Sequence, residues 1–151
     1  MRKLTAISML VLVLVGCSRA PKANPAEENR IRVAVFEYEM QEHPAAVYFL
    51  SIGEAAGDPS DVIMKHFDGN VPPVKAASQC TAGPGGSVND MMTGDTGVLI
   101  KAAAINWISE TEVEVKGGYL ADAKSVSGNT VHVVLQDGEW AVDKDKVDWG
   151  S

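Results

Sequence analysis

Side chains able to do acid, base or metal chemistry are thinly spread along this sequence. Its three histidines, His43, His66 and His132, stand in no HxH or HExxH spacing, so no two of them can hold a zinc ion from one strand or helix face. His66 lies beside Phe67 and Asp68 in a segment that reads as a helix end, where packing is its expected role. His132 lies mid-strand among valines and is the candidate pocket base, since a strand lining a roll would turn its imidazole to the interior. Asp143, Asp145 and Asp148 suggest oxygen ligands for calcium. However, Lys144 and Lys146 interleave them, and the glycine and twelfth-position glutamate of an EF-hand are missing, so a solvated strand face is expected. Glu110, Glu112 and Glu114 form a second acidic stripe, which strand alternation places on one surface. No Gly-x-Ser-x-Gly elbow supports a Ser/His/Asp triad. The run Thr81-Ala82-Gly83-Pro84-Gly85-Gly86-Ser87 lacks the Lys and Ser/Thr ending of a phosphate-binding loop. The expectation is no catalytic set, no metal site and no cofactor.

The two cysteines separate into different chemistries. Arg2 and Lys3 precede an apolar stretch from Leu4 to Val15 whose only polar residues are Thr5 and Ser8. At about a dozen residues it is shorter than the roughly 20 needed to cross a bilayer, and it has a signal-peptide layout. Leu14-Val15-Gly16-Cys17 follows and resembles the bacterial lipobox. The resemblance implies cleavage before Cys17, lipidation of its thiol and a membrane anchor of several acyl chains, each buried CH₂ contributing about 0.8 kcal/mol. Ser18, where an aspartate would stand in a protein kept at the inner membrane, implies an outer-membrane lipoprotein facing the periplasm. Cys80 is then without a partner in the chain, so the domain must rest on its core rather than on a disulfide.

Residues 1–16 thus read as signal peptide, 17–29 as lipidated N-terminus and polar tether, and 30–151 as one domain, long enough for a core of its own. Removing Arg2 and Lys3 from 13 basic side chains leaves 11 against 20 acids, a formal charge of −9. That charge argues against nucleic acid or anionic lipid headgroups as partners, since both need a cationic face; a basic protein in the envelope is permitted.

Asn24-Pro25-Ala26-Glu27 carries a helix start, with Asn24 as N-cap, Pro25 in the first turn and Glu27 placed to reach back as in a capping box. Ile31, Ala34, Val35 and Tyr38 continue at helical spacing, although Ile31, Val33 and Val35 also alternate as a strand would. His43-Pro44 ends that helix. Val47 to Ile52 reads as a buried strand, and Asp58-Pro59-Ser60-Asp61 as the start of a short helix closed near Gly69. Beyond Val74 strands dominate: Val98 to Ile108, Glu112 to Leu120, Thr130 to Gln136 and Glu139 to Val147, with turns at Ser127-Gly128-Asn129 and Asp137-Gly138. The fold class is α+β, an antiparallel meander of four to five strands packed on one or two helices.

Val47-Tyr48-Phe49-Leu50-Ser51, Asp58-Pro59-Ser60-Asp61, Pro72-Pro73-Val74, Trp107, Gly117-Gly118-Tyr119, Gly138-x-Trp140 and Asp148-Trp149-Gly150-Ser151 together resemble a family of small, uncharacterised bacterial exported proteins. Those motifs are structural punctuation, and the resemblance implies no activity. The element order is also similar to cystatin-like and nuclear-transport-factor-like rolls, which host enzymes, inhibitors and scaffolds alike. The expected function is therefore a lipid-anchored, non-enzymatic envelope domain that binds a ligand or protein. The alternatives are a roll-type enzyme acting on a small hydrophobic substrate through His132 or a carboxylate, and an inhibitor of a basic hydrolase.

Overall fold

The computed structural model describes residues 24–151, so the expected signal peptide, Cys17 and most of the expected tether lie outside the described residues. Helix α1 runs Pro25–Glu42 and begins as the sequence implies, Asn24 accepting a hydrogen bond from the Ala26 amide at 3.1 Å. Helical spacing prevails over the strand alternative because Ile31 and Val35 lie one turn apart and, with Phe36 beside Val35, make one fully buried side of the helix. Glu27 does not close a capping box. Its carboxylate instead accepts from Arg30 and, at 2.8 Å, from the indole Nε1 of Trp140. Arg30 also donates to the Gly138 carbonyl, which pins the first turns of the helix to the last hairpin. His43 caps the C-terminus, its amide donating to the Glu39 carbonyl at 2.9 Å before Pro44.

Strand β1 spans Tyr48–Ile52, helix α2 Asp61–His66 with Ser60 as N-cap, and the short strands β2, β3 and β4 span Val74–Ala76, Cys80–Ala82 and Val88–Asp90. Four long strands follow: β5 Thr96–Ser109, β6 Glu112–Asp122, β7 Ser125–Gln136 and β8 Glu139–Gly150. They form the expected antiparallel meander. The sheet is nevertheless mixed and larger than a meander, with order β2-β1-β5-β6-β7-β8 and β1 parallel to both β2 and β5. A parallel strand in mid-sheet is covered on both faces, which explains the unbroken burial of Tyr48-Phe49-Leu50-Ser51. Strand β4 adds antiparallel to β5 and carries β3 with it.

One face of the sheet carries Tyr48, Leu50, Ile100, Val115, Val131 and Val133 against α1, with Ile63 and Phe67 of α2 closing the same core. Val47, Phe49 and Val88 form a smaller cluster on the opposite face, with Cys80 packed against it. Cys80 is part-buried, its thiol donates to the Ala77 carbonyl at 3.2 Å, and burial raises its pKa. The turn between β6 and β7 falls at Ala123-Lys124, and Ser127-Gly128-Asn129 lies inside β7, contrary to the expected turn at 127–129. No helix among the described residues is long and apolar enough to cross a membrane.

Candidate functional site

Helix α1 reads Ile31, Val35, Glu39, His43 at steps of four, so the face that buries two aliphatic side chains next buries a carboxylate. Glu39 is fully buried, and neither of its side-chain oxygens has a hydrogen-bond partner. His43 Nε2 stands 3.4 Å from Glu39 Oε2 without hydrogen-bond alignment, and its ring stacks on Tyr119 of β6 with centroids 3.6 Å apart. Tyr48 fixes this end of the helix: its hydroxyl donates to the Met40 carbonyl and accepts from the Ala45 amide, both at 3.0 Å.

Opposite α1, strand β8 contributes Asp145. Its register partner is Val131, which belongs to the helix-covered core, so Asp145 faces inward. Asn129 Nδ2 donates to Asp145 Oδ2 at 2.9 Å and Ser127 Oγ donates to Asn129 Oδ1 at 2.7 Å. Asp145 Oδ1 is buried and unpartnered. The three aspartates of β8 therefore do not share one solvated face. Register shifts beside His132/Val133 and Gly128/Asn129 each insert a residue, leaving Asp143 and Asp148 on the outer side and Asp145 within.

His43, Asp145, Asn129, Ser127, Tyr119 and Val147 line a cleft of about 290 Å³ at the C-terminal end of α1, with Glu39 behind them. Its electrostatics are those of a desolvated acid pair. Burial pushes the Glu39 carboxyl up to about 7, and the charges of Asp145 and Glu42 add to the effect. Burial also raises Asp145, while it lowers the imidazole of His43. Tyr38, on the same turn, is raised by burial and by Asp145. Near neutral pH Glu39, behind the cleft, can thus hold and release a proton, beside an imidazole whose charged form burial disfavours.

His132 is absent from this cleft. Its neighbours Val131 and Val133 occupy the helix-covered face, so its imidazole takes the outer one. There Nε2 meets Glu112 at 2.6 Å and Nδ1 meets Asp143 at 3.1 Å, and the Glu112 bond raises its pKa. Held by a carboxylate at each ring nitrogen, it is a strut of the outer face and not a pocket base. His66 bonds Glu37 at 2.8 Å and meets Phe67 edge-on, as a helix-end residue. Among the described residues no three His, Cys, Asp or Glu side chains are grouped to hold a metal. No protein-family model, no curated protein and no solved structure matches the chain.

Proposed function

We propose that this protein is a lipid-anchored component of the bacterial envelope, held through Cys17 at the outer membrane and facing the periplasm. In this reading its domain, a roll of the cystatin-like kind, binds a small ligand in the cleft at the end of α1. The lipobox carries the anchor. One observation carries the binding function: Glu39 and Asp145 bury three carboxylate oxygens without donors. An unmade hydrogen bond to a buried acceptor costs about 1–3 kcal/mol, more when the group is charged. A ligand bearing an amino or amidino group beside an apolar body would supply those donors and pack on Tyr119 and Val147.

The anchor is tested by intact mass and fractionation of the full chain and its Cys17→Ala variant in a Gram-negative host. An acyl mass shift and membrane retention, both absent from the variant, are expected; a soluble, unmodified wild-type product refutes the anchor. Binding is tested by thermal unfolding with small aromatic amines and amidines as probes. At about 100 times its Kd a ligand stabilises by about 2.7 kcal/mol, and Asp145→Asn should abolish the rise. No rise with any probe refutes the binding reading.

A second reading, an acid–base enzyme acting on a small hydrophobic substrate, is favoured by the Glu39 pKa of about 7, near the optimum for proton transfer at neutral pH. It moves the acid–base role from His132 to Glu39. Turnover of an enolisable substrate that disappears in Glu39→Gln and persists in His132→Gln would select this reading over simple binding.

A further inference from the structure

The opposite face of the sheet carries a larger cleft of about 470 Å³, lined among others by Ser51, Lys101, Lys116, Gly118, Asp148 and Trp149. Its shape follows from glycines. A β-carbon on Gly128 would collide with the indole of Trp149, and one on Gly118, at φ +142°, with the Ser127 carbonyl. The indole therefore lies directly on the Gly128 backbone while remaining 62 % exposed, a flat apolar platform beside a floor without side chains.

Donors and acceptors surround this platform in balance. Lys116 Nζ donates to Thr130 Oγ1 and, at 3.0 Å, to Asp148 Oδ2, and Thr130 Oγ1 donates to the same Asp148 oxygen at 2.6 Å. Lys101 Nζ donates to the Glu54 carbonyl at 3.2 Å. An ammonium group has three donors and a carboxylate about four acceptor sites, so both lysines and Asp148 keep capacity for a ligand. Ser51 adds an independent sign of a built site: it is fully buried, lines the cleft, and its hydroxyl has no partner.

This chemistry narrows the ligand. Lys101 and Lys116 are matched in the lining by the carboxylates of Glu54 and Asp148, so an anion would find no net positive charge. Of the strands that line the cleft, β1, β5, β6 and β7 are paired on both sides and β8 on one, so a strand added at the β8 edge would lie beside the lysines of β5 and β6 rather than over them. A ligand that offers a flat C–H face to an indole and hydroxyls to alternating donors and acceptors is a saccharide. We propose that this outer cleft is a saccharide-binding site with Trp149 as its stacking platform and Lys116 and Asp148 as its hydroxyl-reading pair.

Trp149 is the exposed indole of the three, Trp140 being 7 % exposed and Trp107 half-buried, so its emission reports the cleft. The test is fluorescence titration of the full chain in detergent with maltotriose and with chitotriose as probes, and separately with phosphatidylglycerol–phosphatidylethanolamine vesicles. A saturable change with either trisaccharide is expected. Loss of the Trp149 platform should weaken it about tenfold or more, read by calorimetry for Trp149→Ala and, as a variant that keeps an aromatic ring on the glycines, more mildly for Trp149→Phe. Asp148→Asn should weaken it and His66→Gln, on α2 and outside this cleft, should not. No saturation by either trisaccharide, or a response to vesicles alone, which would mark Trp149 as a membrane-contact residue, overturns the proposal.

Discussion

Replacing Glu39 with glutamine probes the buried carboxyl directly. In the unfolded chain the group titrates at its ordinary 4.5, whereas in the fold burial pushes it up to about 7. Between those values the folded state keeps a proton that the unfolded state has released, so stability declines as pH rises, by about 1.4 kcal/mol per pH unit. The decline begins near the unfolded value, levels off above the folded one, and sums to about 3 kcal/mol. Glutamine preserves the shape, cannot ionise, and can donate toward His43 or Asp145. Asp145, His43 and Tyr38 titrate in both proteins and largely cancel in the comparison. Urea unfolding followed by circular dichroism should find Glu39→Gln equal to wild type at about pH 4 and more stable by about 3 kcal/mol at about pH 8. A buried glutamate whose replacement stabilises the fold is one retained for something other than stability. Equal midpoints at the higher pH, or a variant weaker throughout, would mean that Glu39 is ionised and satisfied, and the argument for a ligand there would collapse.

Two further substitutions separate scaffold from site. His132→Gln should cost less than about 1 kcal/mol, as an exposed ion-pair residue does. The raised His132 pKa makes its contribution complete below 6.5 and lost as pH rises through the folded value, so the variant and wild type should converge in alkaline urea titrations; divergence there would contradict the clamp. Trp140→Phe removes the bond that ties β8 to the first turn of α1 and should cost about 1–2 kcal/mol. That bond lowers the Glu27 pKa, so its benefit should shrink as pH falls through the acid range, and a pH-independent difference would point to lost packing alone.

Much of the scaffold was legible because its signals are local. Asn24, Pro25 and His43-Pro44 mark the ends of α1 within a residue, and the alternation in Glu112-Val113-Glu114-Val115 marks β6. What escaped was non-local. The parallel pairing of β1 with β2 and β5 joins residues far apart in sequence, and no periodicity announces it. The clefts were hidden by a misread glycine: Ser127-Gly128-Asn129 has turn composition, yet Gly128 is there to admit an indole from β8 and Asn129 to hold Asp145. Asp145 itself was obscured by bulges, since strict alternation would place it with Asp143. Glu39 did leave a trace, the four-residue step from Ile31 through Val35, and a charged residue at the third position of a buried helical stripe is a signal that spacing alone can yield.

The two clefts share a direction that bears on the proposed anchor. The first turns of α1 are fastened to the β7–β8 hairpin through Arg30, Glu27 and Trp140, and the chain leads from that end toward Cys17. Eighteen residues of helix carry the backbone about 27 Å at 1.5 Å per residue before His43 reaches the inner cleft. Strand β8 runs the same way, from Trp140 at the hairpin to Asp145 and then Trp149 at the far end. A lipid on Cys17 would therefore tether the domain by one end and present both clefts at the other. If the proposed anchor holds, both clefts would meet their ligands away from the bilayer, and the vesicle titration at Trp149 becomes a test of orientation as well as of ligand.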